Sequence, residues 1–525
     1  MTWDRRDAAV AAVLGALAFG SRAALRTDAV YSFDSGILAL GVERYDFAHY
    51  QPHPPYYPLA IALAKLLSWM APVTALSWLA VLGYTGLVVG TYAVGRAFAG
   101  RSTALLASAL VGLSPVATLN GAVPLTYALE GAASVAVALV ALEAHRHPGW
   151  RWAVVLGVAT SLAVGLRPSS LILLAPLGLW ATWRRPRDLA VVAGAGALAT
   201  LAWLLPALVA GGGLAEFRYG LRFQQAYILA DPAWRSGAEG VTNRAQWLIY
   251  LLRRELPFVA AVGALAAITW LRTRTAWPRE ATGFLAAWAL PGVAFYVLVY
   301  AGWPVYPDGY LLALLPPLFL ACALAVRAVL LAVTTDAPRV ARALGVGVVA
   351  VVLVLPALWG APLQQAPLVR DVEAWEASMA GLDEAFPANS TAFLTFYDVA
   401  WLRLHHQDAL VWSLDVFDPG DGQLHTQVLA TRGLEADASA FDLFRATNTT
   451  RHVVPDWVER IAIVQGHPVE PTGDLVFNVE QHNTTLRGGA KVFWFTPAPG
   501  MVLEDSLVYV HVGPGPYPTR VPPPW

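Results

Sequence analysis

Apolar stretches long enough to cross about 30 Å of hydrocarbon recur through the first two thirds of this chain and are missing from the last third. They fall near residues 8–25, 73–95, 102–119, 125–144, 152–166, 170–183, 188–209, 256–271, 281–301, 309–332 and 343–361, which makes about eleven membrane crossings by the length criterion. The 152–166 and 170–183 stretches are short and are separated by Arg167-Pro168. Pro206, Pro291, Pro316 and Pro317 lie within apolar runs, where neighbouring helices can re-satisfy the carbonyls that a proline frees. Residues 8–25 follow Arg5 and Arg6 and are met by Arg22 and Arg26, and no small-x-small cleavage site stands out among them. They are expected to be a retained first membrane helix rather than a signal peptide.

The pattern changes after residue 361. Val369, Val372, Trp375, Met379, Leu382 and Phe386 keep helical spacing up to Pro387. Short β-like runs follow at Thr391–Tyr397, Ala409–Leu414, Ile461–Val464, Leu475–Val479, Lys491–Phe495 and Leu507–Val512. Asp398–His406 reads as a helix between the first two, giving a strand-helix-strand unit. Residues 1–361 are therefore expected to be a polytopic, mainly α membrane domain, and 362–525 a small α/β domain that ends in a proline-rich, extended tail from Gly513 to Trp525.

Composition agrees with the division. Of 525 residues 57% are hydrophobic and 14% charged, against about a quarter charged in soluble domains. The overall charge of −1 hides an asymmetry, with +10 on residues 1–361 and −11 on 362–525, as expected of parts in different surroundings. Neither part is the strongly basic surface that nucleic acid would need. The single cysteine, Cys322 in an apolar run, excludes an intramolecular disulfide and a cysteine-based zinc site.

Alternate connections concentrate arginine: Arg5/Arg6, Arg96/Arg101, Arg146/Arg151, Arg184/Arg185/Arg187, Arg272/Arg274/Arg279 and Arg339/Arg342. The positive-inside rule assigns these, and the N-terminus, to the cytoplasm. The Asp34 loop, the 210–245 and 302–308 loops and the C-terminal domain are then extracytoplasmic. Three N-glycosylation sequons, opened by Asn389, Asn448 and Asn483, all lie in that domain, where only an outer location would let them be used.

The chemistry-bearing residues gather between the first two apolar runs. Asp28, Asp34, Glu43, Asp46, His49 and His53 occupy a polar segment stiffened by Pro52, Pro54, Pro55 and Pro58. Charge that close to lipid is expensive to keep without a use. Asp34, followed by His53-Pro54-Pro55 ahead of a surface helix at Leu59–Trp69, resembles the GT-C class of polyprenyl-phosphate-sugar glycosyltransferases, relatives of the protein O-mannosyltransferases and the aminoarabinose transferases of lipid A. The resemblance spans roughly residues 8–361, and the C-terminal part adds nothing to it.

The resemblance implies that Asp34 is the general base and that His53 lies near the donor. A transferase of this kind needs a carboxylate to take the proton from an attacking hydroxyl and cations to meet the departing phosphate. Arg167 at the predicted outer end of an apolar stretch, and Arg218 with Arg222 one turn apart, are the candidate phosphate ligands together with His53. Glu130, Asp46 and Tyr310 are candidates for sugar or acceptor binding. Tyr310 closes Trp303–Tyr310, which is similar to the class's late external loop, although no Arg or His directly precedes it. Tyr56 and Tyr57 suit an interfacial aromatic belt. No cofactor or metal is implied, though Asp34, Asp46 and His53 could converge in space.

The expected activity is an inverting transfer of one sugar from a polyprenyl-phosphate donor to a glycan, lipid or protein acceptor on the outer face. The sequons favour a dolichyl over an undecaprenyl carrier. An oligosaccharyltransferase would be expected to carry a Trp-Trp-Asp-x-x-Gly motif, which is absent. A secondary transporter would place its binding groups near the bilayer midplane, whereas the acids here crowd one external segment.

Overall fold

A computed structural model describes residues 3–228, 279–298, 309–336, 361–395, 399–406, 409–417, 425–430, 452–464, 474–477, 481–503 and 508–511, with isolated positions at 241, 242, 245, 248, 347, 467 and 468. The chain is mainly helical up to residue 378 and carries a mixed sheet after it. Helices α1 (Arg5–Ala23), α2 (Phe33–Glu43), α3 (Pro58–Lys65), α4 (Pro72–Phe98), α5 (Arg101–Leu113), α6 (Pro115–Asn120), α7 (Tyr127–Arg146), α8 (Trp150–Leu166), α9 (Ser170–Thr182), α10 (Pro186–Ala210) and α11 (Leu214–Ile228) are followed by helices at Arg279–Leu298 and Leu315–Asp336.

Among the described residues α4, α7 and α10 are long and apolar enough to cross a membrane. The expected eleven crossings are therefore not all recovered. The 102–119 run breaks at Ser114-Pro115 into α5 and α6, because Ser114 caps the second helix and Pro115 opens it. The 152–166 and 170–183 runs form helices of 17 and 13 residues, while 256–271 and most of 343–361 lie outside the described residues.

Small residues set how closely the helices approach. On α4, a Cβ at Gly83 would fall 2.6 Å from the backbone at Ala128 and Leu129 of α7, and one at Gly90 would fall 2.7 Å from Val135. A seam of this kind lets backbones meet where lipid supplies no hydrophobic drive.

The arginine-rich ends are tied to one another. Asp7, fully buried, receives Arg96 (Nε at 2.7 Å, Nη2 at 2.9 Å), Arg101 Nε at 2.8 Å and the Tyr92 hydroxyl at 2.9 Å. The Arg96 hydrogen bond leads in holding the Asp7 carboxyl far below the ordinary carboxylate range, against its desolvation. Arg146 forms a fork with Glu280 at 2.8 and 3.0 Å and lies over Phe98, and Arg185 donates to the Ala144 carbonyl at 3.0 Å. The ends of α1, α4, α5, α7, α10 and the Arg279–Leu298 helix thus share one face of the bundle, and the acid-bearing 28–57 segment belongs to the opposite end.

After the helix Ala361–Ser378 and a short turn of helix at Leu382–Ala385, the strands are β1 (Thr391–Thr395), β2 (Leu410–Phe417), β3 (His425–Ala430), β4 (His452–Val453), β5 (Arg460–Val464), β6 (Asp474–Phe477), β7 (His482–Thr485), β8 (Lys491–Phe495), β9 (Val502–Leu503) and β10 (Val508–His511). Six pair in the order β3-β2-β1-β5-β8-β7. β1 is central and parallel to both β2 and β5, and its five residues are all buried. A helix, Val399–His405, makes the β1–β2 crossover, as the sequence pattern predicts. A helix is the usual means of joining parallel strands.

Gly83→Ala is expected to cost about 1–3 kcal/mol, because its Cβ meets backbone that cannot swing away. A lower thermal midpoint in detergent, with unchanged helical content, is the measurement that checks it.

Candidate functional site

The site begins with a helix cap. Ser32 accepts from the Ser35 amide while the Ser35 hydroxyl accepts from the Ser32 amide at 2.8 Å, a reciprocal box that starts α2 at Phe33. Asp34 therefore stands in the first turn of a helix, where a carboxylate is favoured by the helix dipole. The sequence reading put it on a loop. The apolar run that follows it is the buried face of α2, which continues to Glu43.

The 44–57 segment folds back over α2. Asp46 and Gln51 pair as an isolated bridge, and both Gln51-Pro52 and Pro54-Pro55 are cis. Tyr50, Tyr56 and Tyr57 have φ of 59°, 73° and 45°, a left-handed conformation costing about 1–2 kcal/mol per non-glycine residue. Burial of Tyr56 and Tyr57, and a hydrogen bond from the Tyr45 hydroxyl to the Tyr56 carbonyl at 3.1 Å, hold that strain in place. Backbone strain of this kind concentrates at functional sites.

His53 is the hinge of the geometry. Its Nε2 shares a 2.9 Å hydrogen bond with the Tyr57 hydroxyl, and its Nδ1 lies 3.8 Å from Asp34 Oδ1. That separation is too long for a hydrogen bond but close enough for a direct charge interaction. The buried Nδ1 has no hydrogen-bond partner. Burial pushes the His53 pKa below the usual imidazole value; the Asp34 carboxylate raises it in part, and the Arg167 charge lowers it again.

Arg167 lies behind this pair, at the C-terminal end of α8, and is 4% exposed. Its Nε is 3.2 Å from Glu130 Oε2 and its Nη1 donates to Thr126 Oγ1 at 3.1 Å. The hydroxyls of Ser169 and Ser170 donate to Glu130 Oε1 at 3.1 and 3.2 Å. The guanidinium is enclosed by tyrosine rings: Tyr127 at 4.1 Å, Tyr310 at 4.2 Å and Tyr57 at 5.3 Å. Gly309 makes this possible, since a Cβ there would lie 2.1 Å from Tyr127 Cγ. Arg167 is not a snorkelling cation. Tyr56 and Tyr57, 0% and 3% exposed, are likewise packing residues rather than an interfacial belt.

The structure brings together Asp34, His53, Arg167, Glu130 and Tyr310. It does not bring Asp46 to them. Asp46 is engaged within its own loop, by Arg44 at 2.8 Å and His49 at 2.8 Å. Burial pushes its carboxyl up, but the His49 hydrogen bond and the His49 and Arg44 charges outweigh burial and hold it low. Among the described residues no three His, Cys, Asp or Glu gather as a metal site. Arg218 and Arg222 are exposed on α11, whose Phe217 packs on Phe47 and Tyr56. Asn389 and Asn483 are exposed at a turn and on β7; Asn448 and most of Trp303–Tyr310 lie outside the described residues. Tyr57, Tyr127 and Thr126 escaped the sequence reading. The signal for Tyr127 was present, three positions before Glu130 and so on one helix face with it.

A small apolar cavity lies beside the cage, lined by Leu173, Leu174, Trp288, Phe295, Tyr310 and Leu314 among others, so that Tyr310 borders both.

No protein-family model matches the sequence, and no curated protein sequence matches it. Solved structures do. ArnT from Cupriavidus metallidurans bound to undecaprenyl phosphate superposes with a TM-score of 0.55 at 13% identity, covering 93% of this chain and 97% of ArnT. The apo form of ArnT gives 0.50 at 14% identity over the same shares. An oligosaccharyltransferase from Archaeoglobus fulgidus reaches 0.45 at 13% identity, covering 86% of this chain and 67% of that one, an overlap too loose to argue from. The resemblance carried by Asp34 and His53-Pro54-Pro55 thus holds at the level of the fold, which is that of ArnT along nearly its whole length.

Two outcomes are expected at this site. Glu130→Gln leaves Arg167 buried without its counter-charge and should destabilise the protein by about 3–5 kcal/mol, read as a lowered thermal midpoint. His53 resists protonation when folded, so below the ordinary imidazole pKa the unfolded chain binds more protons and stability falls as pH falls. His53→Gln should flatten that acid-side decline relative to wild type in thermal melts from pH 7.5 to 5.

Proposed function

We propose that this protein is a membrane glycosyltransferase that moves a sugar from a polyprenyl-phosphate donor to an acceptor hydroxyl, with Asp34 as general base. One observation carries the reading. The half-buried carboxylate of Asp34 faces the buried imidazole of His53, whose Nδ1 has no hydrogen-bond partner, and the caged Arg167 guanidinium lies behind them. A carboxylate beside a neutral base and a cationic field suits proton removal from an acceptor hydroxyl as an anionic group departs. The ArnT fold supports the same class, since ArnT was solved with undecaprenyl phosphate bound.

In the proposed reaction the acceptor oxygen attacks the anomeric carbon as the carbon–oxygen bond to phosphate breaks. The acceptor proton passes to Asp34, and the polyprenyl phosphate leaves with the bonding electron pair. Attack from the side opposite the phosphate inverts the anomeric centre. His53, neutral at pH 7, accepts from Tyr57 at Nε2 and so turns its Nδ1 hydrogen toward Asp34, which steadies the carboxylate without neutralising it.

Arg167 is already balanced by Glu130, so its part is to hold Tyr57, Tyr127 and Tyr310 and to supply a positive field. The phosphate oxygens are assigned in this reading to Arg218 and Arg222, exposed on α11, whose Phe217 packs against Tyr56. Glu130 acts through Arg167 rather than on sugar hydroxyls, and Tyr310 closes the cage over the guanidinium.

The orientation belongs to the same reading. The tied arginine-rich face is taken as cytoplasmic by the positive-inside rule. The Asp34 end and residues 362–525, read as a domain of their own, are then extracytoplasmic, and Asn389, Asn448 and Asn483 are available for glycosylation. Sequons in that domain favour a dolichyl carrier.

Transfer of radiolabelled sugar from a panel of dolichyl- and undecaprenyl-phosphate sugars into membrane acceptors tests the proposal. Asp34→Asn keeps the size and removes the base, so transfer should fall by at least about 100-fold. No transfer from any donor by folded, inserted wild-type protein would sink the reading. Transfer that survived in Asp34→Asn would remove Asp34 from the role of base.

A further inference from the structure

The helix that carries Asp34 is gripped from behind by the C-terminal part of the chain. α2 has 11 residues, too few to span a bilayer, so tertiary contacts decide where it sits. The Val399–His405 helix, the crossover between β1 and β2, packs on it. Ile37 and Leu40 of α2 cluster with Ala400, all nearly fully buried, and Phe33, Tyr50 and Leu404 close around them. At Gly36 the two helices all but touch. A Cβ there would fall 2.7 Å from Ala400 Cβ, 3.3 Å from the Ala400 carbonyl carbon and 3.2 Å from Val30 Cγ1.

The geometry separates this contact from the chemistry. Residues advance by about 100° round a helix, so Gly36 and Leu40 lie on the far side of α2 from Asp34. A second hold lies just upstream, where His467 Nε2, 3% exposed, donates to the Val30 carbonyl at 3.1 Å. The gripping helix is itself fixed. Trp401 Nε1 donates to Glu376 Oε1 at 2.8 Å, His405 Nε2 meets the same oxygen at 3.0 Å, and Trp375 of the Glu376 helix packs on both Trp401 and His467.

We propose that the Val399–His405 helix is a positioning element for the reaction, setting the place of Asp34 through the close approach of Ala400 to Gly36. The C-terminal sheet region is then part of the catalytic apparatus, without a group of its own reaching the substrate. This inference rests on the reading of Asp34 as base. Any ligand that shifted the β1–β2 crossover would shift Asp34 with it.

A swap of the contact tests this in the full-length protein. Gly36→Ala forces the helices apart, and a displacement approaching 1 Å at a catalytic group is expected to cost between about 10- and 100-fold in kcat. The KM for the polyprenyl-phosphate sugar should stay near that of wild type, since the substitution displaces α2 and touches none of the residues assigned to the donor. Adding Ala400→Gly removes the nearest clash and should recover kcat to within about fivefold of wild type, a non-additive pair of the kind that contacting residues show.

Amide hydrogen exchange across Phe33–Glu43 supplies a readout independent of any reaction. It should quicken in Gly36→Ala and return in the double variant. Wild-type kcat in Gly36→Ala, a double variant no faster than the single one, or a change confined to KM would each overturn the proposal. If no donor supports transfer, the functional reading fails, while the exchange data still decide whether the two helices are coupled as described.

Discussion

The Arg167–Glu130 pair is the interaction around which the rest of the site is arranged. Two opposite charges, 4% and 1% exposed, have left water at a cost of several kcal/mol per ion. They are held in place because five segments of chain converge on them. The start of α7 brings Thr126, Tyr127 and Glu130, the end of α8 brings Arg167, and the start of α9 brings Ser169 and Ser170. The 50–57 loop brings Tyr57, and the turn at Gly309–Ala313 brings Tyr310. A desolvated cation over an aromatic ring is worth about 2 kcal/mol, and here three rings share one guanidinium. The cage orients Tyr57, Tyr57 orients His53, and His53 faces Asp34.

The two ends of the bundle handle charge in contrasting ways. At the arginine-rich end the fully buried Asp7 is saturated by two arginines and a tyrosine. At the other end the charges are incompletely answered. His53 Nδ1 is buried without a hydrogen bond, and Asp34 stands 3.8 Å away on a capped helix turn. An unmade hydrogen bond in a low-dielectric site is costly. The strained backbone at Tyr50, Tyr56 and Tyr57 adds to that cost. The strained backbone beside the Asp34–His53 pair has the character of a working site, and the saturated Asp7 that of a structural clamp.

Much of this was legible in the residues. The apolar runs, the strands β1, β2, β5, β6, β8 and β10 and the crossover helix after β1 follow from periodicity, whereas β3, β4, β7 and β9 do not, and Arg167 is conspicuous as a charge interrupting an apolar stretch. Other features were not. Asp34 reads as a loop residue because Ser32 and Ser35 form a hydroxyl–hydroxyl cap box, which lacks the Glu or Gln that usually marks one. Tyr57 reads as a membrane-belt residue because sequence cannot tell a tyrosine turned to lipid from one turned onto a buried arginine. Asp46 looks equivalent to Asp34 in the chain, yet a local bridge to Gln51 turns it toward Arg44 and His49.

Sequence by itself therefore determined what depends on composition and short-range period: a membrane-embedded helical body, a mixed α/β part after it, and the segment where acids and prolines gather. Those properties are local, because helix length, alternation and capping are set by residues within a few positions of each other. Tertiary structure alone decided which charges are paired, which tyrosines meet Arg167, and that the C-terminal sheet region braces the Asp34 helix. Gly36 and Ala400, or Arg167 and Tyr310, are brought together by packing across the whole chain, and no local pattern records a contact between residues so far apart.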